Sequence, residues 1–141
     1  MDFAGLPLHP MLVHFPVALF VSAMGLEIFS FILKKDSLHR SALLLYILAA
    51  LLSPLVVFTG LAEAEEMHLK HRVLDLHKFF ALLTMSSSLI SLLILWFVHK
   101  QNERSARFLF IFFAVMIVIF VTLAAYNGGR MVYEYGIGVK P

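Results

Sequence analysis

The chain has 141 residues, 61% of them hydrophobic and only 14% charged, with a formal net charge of +2 and a mean hydropathy of +0.91. That balance argues against a water-soluble domain, leaves no length for a second domain, and makes the pI of about 9.1 a property of helix ends rather than a nucleic-acid footprint. With no cysteine, disulfides, thiolate metal sites, iron–sulfur clusters and covalently attached haem are excluded.

The first ten residues carry no basic region of the kind that opens a cleavable signal, so they read as a short lead. Four apolar runs follow, at residues 11–33, 41–62, 79–98 and 108–126. Each has about the 20 residues that a helix needs to cross the hydrocarbon core. They predict an all-α fold: one integral membrane domain over residues 1–141, a four-helix bundle whose short turns make sequential helices antiparallel neighbours.

In the first run, Pro10 suits a helix start, and Pro16 removes the bond to the Leu12 carbonyl and predicts a kink beside His14. Pro54 interrupts the second run. The charged stretch at 63–75 can extend either neighbouring helix. Gly128-Gly129 predicts the end of the fourth helix. Beyond it Met131, Tyr133, Tyr135, Ile137 and Val139 alternate with smaller or polar residues, the period of an extended flap.

Basic residues set the orientation. Lys34, Lys35, Arg40, Lys100, Arg104 and Arg107 collect around two short turns, which the positive-inside rule places in the cytoplasm. Both termini and the 63–78 connection then face outward, which in a bacterium is the periplasmic side of the inner membrane.

Five of the seven histidines, His9, His14, His68, His71 and His77, gather at that outer face. Imidazoles at membrane depth are costly without a partner. His14 heads a stripe of small residues (Ala18, Ser22, Gly25), and His77 heads another (Ala81, Thr84, Ser88, Ser91). Ala49, Ser53 and Gly60 form a third. Small residues let membrane helices approach closely, which accounts for such stripes by packing alone.

Two imidazoles above small side chains are also what a b-type haem needs. This predicts His14 and His77 as iron ligands, with Arg72, Lys78 or Arg130 neutralising the propionates. The alternative is a divalent metal held by His9, His68 and His71 with acidic residues nearby, in a metal-binding or transport protein. A third is a structural anchor for a periplasmic redox partner. His9 also reads as a helix cap. His39 and His99 lie at the cytoplasmic end, where a second haem is the weaker alternative to interfacial histidines. Glu27, the one carboxylate well inside a run, is expected to pair with Lys34 or reach the cytoplasmic face. Trp96 and the tyrosines near the helix ends read as interfacial anchors.

The segment Leu6-Pro7-Leu8-His9-Pro10-Met11-Leu12-Val13-His14-Phe15-Pro16 resembles the LHPxxVHFP opening of a bacterial membrane family, domain of unknown function 2231. The ending Gly128-Gly129-Arg130-Met131-Val132-Tyr133-Glu134-Tyr135-Gly136-Ile137-Gly138-Val139 is similar to its GGxLVYxxGVGV, with Met131 where the family prefers leucine. A histidine opening the third helix, here His77, fits as well. The resemblance covers nearly the whole chain. It implies the four-helix membrane architecture and brings no established activity. Relatives fused to cytochrome c or Rieske-type modules would imply a respiratory neighbourhood, with a periplasmic redox protein of that kind as partner beside the lipid bilayer.

Overall fold

Inside lipid the backbone has no water to bond, so an apolar run must satisfy its own N–H and C=O groups, and a helix does so. The computed structural model describes residues 8–66 and 70–137, and there each run is one unbroken helix: α1 Leu8–Leu33, α2 Asp36–Glu66, α3 Arg72–His99 and α4 Glu103–Tyr133. All four are long and apolar enough to cross a membrane. With 26 to 31 residues each, they reach about 39–47 Å at 1.5 Å per residue, beyond a hydrocarbon core of about 30 Å. No strand occurs among the described residues.

The helices outrun the apolar windows because nothing polar at their ends breaks helical geometry. α2 continues through Glu63, Glu65 and Glu66, so most of the expected 63–75 connection is helix. α3 starts at Arg72, where the ring of His71 accepts a bond from the Val73 N–H. Asn102 caps α4 through Ser105. Pro54 withholds the donor that the Ala50 carbonyl would use, and the Ser53 hydroxyl bonds that carbonyl instead at 2.8 Å.

Gly128-Gly129 does not end α4, and the expected extended flap is corrected accordingly: Met131, Val132 and Tyr133 are helical. The helix closes where Gly136 adopts a left-handed φ of 61°. There the Gly136 and Ile137 N–H groups bond the Val132 and Met131 carbonyls. A glycine stops a helix only where the chain takes that conformation. Val139 lies outside the described residues.

Packing follows the logic of lipid. Phe15, Phe31, Phe58, Leu93, Phe97 and Phe108 turn outward with more than half their surface exposed, while Ala23, Ala42, Ala49, Ala50, Ser88, Ser91 and Ala114 fill the interior. The α2 stripe at Ala49 and Ser53 and the α3 stripe from Thr84 to Ser91 are buried as predicted. The α1 stripe is not: His14, Ala18 and Ser22 are exposed.

At mid-height one aromatic knot joins all four helices. Tyr46 of α2 lies edge-on to Phe20 of α1 and Phe110 of α4, at 5.5 and 5.3 Å between ring centres. Its hydroxyl meets the Ser91 hydroxyl of α3 at 2.6 Å.

Candidate functional site

α1 packs closely on α2 and α3 on α4, whereas the two pairs touch each other far less. Between the pairs lies a cavity of about 1210 Å³, somewhat above the roughly 300–1,000 Å³ common for ligand sites. Its lining comes from the first turns of α1 and α3 and the last turns of α2 and α4. Phe20, Ser53, Thr84 and Val121 mark its inner extent, and Tyr133, Tyr135 and Ile137 also border it.

His9 and His77 face each other in this cavity, with ring centres 6.1 Å apart and planes at 81°. Each ring is tied to a helix backbone. His9 Nδ1 donates to the Val56 carbonyl at 2.9 Å, and His77 Nδ1 donates to the Ala124 carbonyl at 2.8 Å. A carbonyl oxygen only accepts, so both Nδ1 atoms carry the proton. A neutral ring protonated at Nδ1 offers its lone pair at Nε2, the tautomer that metal-ligating histidines use. Neither Nε2 has a hydrogen-bond partner among the described residues. The His9 N–H, which a helix start leaves without an intrahelical partner, donates to Glu63 at 3.0 Å.

Two glycines make room for these rings. A Cβ on Gly60 would stand 2.6 Å from His9 Cε1, and one on Gly128 would stand 3.3 Å from His77 Cε1. That gives Gly60 and Gly128 a physical reason to stand inside their helices, whereas a Cβ on Gly129 would meet nothing within 4 Å.

The other sequence-predicted residues are placed differently. His14 lines the same cavity but is exposed, without a hydrogen-bond partner among the described residues. His9, not His14, stands against His77. His71 caps α3, and its ring lies 4.3 Å from the Tyr135 ring. His68 lies outside the described residues. Among those residues no three His, Asp or Glu side chains are grouped to hold a metal ion. Lys78 lines the cavity. Arg72 is exposed. Arg130 bonds Glu134 at 2.9 Å and the Tyr135 hydroxyl at 3.2 Å.

A second polar cluster occupies the other half of the bundle. Glu27, only 2% exposed, pairs not with Lys34 but with Arg107 Nε at 3.0 Å and His39 Nδ1 at 2.6 Å. Arg107 also donates to Ser30 at 2.7 Å and to Asp36 at 3.2 Å. A buried carboxylate needs such partners. Sequence spacing could not reveal them, since Arg107 is 80 residues from Glu27. His99 is exposed, and Trp96 carries the Lys100 ammonium 3.7 Å above its ring.

Residues 5–141 match the family described as Predicted membrane protein (DUF2231), and the chain belongs to that family. No curated protein and no solved structure matches it.

Proposed function

We propose that this DUF2231 protein is an antiparallel four-helix bundle of the bacterial inner membrane that holds a b-type haem between His9 and His77 and serves as an electron-transfer subunit. The supporting observation is the histidine pair itself: two imidazoles with fixed tautomers, on helices that scarcely touch, 6.1 Å apart in one cavity. That separation leaves room for one metal ion between the rings, which His9 and His77 would hold through Nε2. The cavity lining is mostly apolar, which suits a flat macrocycle.

His9 replaces His14 as the favoured partner of His77. The Val56 and Ala124 carbonyls orient the rings, and Gly60 and Gly128 leave them space. Lys78 supplies positive charge for a propionate, while Arg130 is already engaged at its own helix end. A bound haem contributes reversible one-electron exchange. Divalent-metal binding is less well supported, because among the described residues no three His, Asp or Glu side chains come together.

In this reading the six basic residues around the two short turns face the cytoplasm and both termini face outward. The site then lies within reach of a periplasmic cytochrome or Rieske-type protein. The test is the visible absorption spectrum of protein expressed with ample haem. A Soret band with a low-spin reduced spectrum is expected, lost in His77→Ala and His9→Ala and kept in His99→Ala. A colourless wild type overturns the proposal and leaves the structural-anchor reading.

A further inference from the structure

The walls of the cavity are unequally closed. Toward α2 and α3 its lining residues Ser53, Val56, Val57, Leu74 and Thr84 are buried. Toward α1, lining residues His14, Ala18 and Val21 recur at steps of four and three, one helix face, and all are exposed. On α4, Ala125 is exposed and lines the same cavity, and a Cβ on Gly129 would meet open space. α1 and α4, like α2 and α3, pack far less closely than the helices within each pair. A slot therefore runs between α1 and α4 into the cavity. Residues 14–21 lie roughly 9–20 Å along α1 from its first residue, by the helical rise, so in a bilayer the slot opens on lipid and not on water.

We propose that the cavity takes a membrane-dissolved molecule sideways through this slot, one with a neutral, flat, hydrogen-bonding head on a long apolar chain: the chemistry of an isoprenoid quinone or quinol. Small side chains at Ala18, Ala125 and Gly129 pass a flat ring. Val17, Phe20, Val21 and Val121 give the chain apolar walls. His14 stands at the slot without a hydrogen-bond partner among the described residues, and a neutral imidazole both donates to a quinone oxygen and accepts from a quinol hydroxyl. The charged lining sets Lys78 against Glu63 and Glu66, which does not favour the phosphate of a phospholipid. The slot, its apolar walls and His14 carry this assignment without a haem, and a haem held between His9 and His77 would share the cavity with the quinone head.

The experiment uses full-length protein in phosphatidylcholine nanodiscs and a photoreactive benzoquinone bearing an isoprenoid chain. Saturable labelling is expected on α1 near His14 or on α4 near Ala125, competed by unlabelled quinone and not by phosphatidylglycerol. Ala18→Trp fills the slot and should abolish labelling; Ala125→Leu does the same from the other helix if the tryptophan variant fails to fold. His14→Ala should weaken binding about fivefold, the ratio that corresponds to one lost hydrogen bond of about 1 kcal/mol. Absence of saturable labelling, labelling unchanged by both slot variants, or competition by phosphatidylglycerol overturns the proposal. Haem absorbance read on the same samples separates this outcome from failure of the haem reading.

Discussion

Gly60→Ala separates the two reasons for which a glycine can sit in a helix. In a helix interior alanine is favoured over glycine by about 1 kcal/mol. Here the added methyl would lie 2.6 Å from His9 Cε1, 2.8 Å from Nδ1 and 3.0 Å from Nε2. The ring must leave, and it can, because it ends a side chain with two rotatable bonds. Leaving costs the bond to the Val56 carbonyl, about 0.5–1.5 kcal/mol. The two terms nearly cancel, so the melting temperature should move by no more than about 2–4 °C. The site pays instead: His9 no longer faces His77 as an oriented ligand, and haem affinity should fall about 10–100-fold, the usual loss when a ligand loses its support. Gly128→Ala, with a 3.3 Å contact to His77, should cost less affinity. Gly25→Ala, where a methyl meets nothing within 4 Å, should cost none. Haem titration followed by absorbance ranks the three, and the modification rate of His9 by diethyl pyrocarbonate reports the ring's release without any haem. Unchanged His9 reactivity in Gly60→Ala, or a larger loss of affinity in Gly128→Ala, would mean that Gly60 does not make room for the His9 ring.

Arg107→Met should destabilise, by less than the roughly 3–5 kcal/mol of a fully buried pair because Arg107 is partly exposed and His39 still holds the Glu27 carboxylate, with a smaller loss in the Glu27→Gln/Arg107→Met double variant. Unfolding in detergent across the double-mutant cycle checks this, and additive losses would show that the two side chains are not coupled. Tyr46→Phe should cost only about 0.5–1.5 kcal/mol, because Ser91 keeps its bond to the Ser88 carbonyl at 2.7 Å. Tyr46→Ala opens the centre of the knot and should cost about 3–5 kcal/mol, in line with large aromatic truncations; equal losses for the two variants would move the weight from packing to the hydroxyl. In a chain with no native cysteine, an impermeant thiol reagent on intact cells should label Lys70→Cys and spare Ser37→Cys. The reverse pattern would turn the bundle over and place the cavity in the cytoplasm.

Four apolar runs of about 20 residues were enough to determine four helices, because lipid leaves the backbone no other way to bond itself. Family membership was legible from the motifs at the two ends. Helix ends were less so: Glu63–Glu66 and Gly128-Gly129 look like punctuation, yet acidic residues propagate a helix, and glycine ends one only where φ turns positive, as it does at Gly136. Which histidines meet was beyond the sequence. His9 and His14 are five residues apart, about 140° around a helix, and periodicity alone does not say which faces the bundle axis. The small stripe below His14 suggested an inward face, but small residues border an opening as readily as they permit contact. Tertiary structure decided it, by setting Val56 and Gly60 under one ring and Ala124 and Gly128 under the other. The same holds for Glu27. Its need for partners was implicit in its place within an apolar run, whereas their identity, Arg107 and His39, came from helices that only the folded chain brings together.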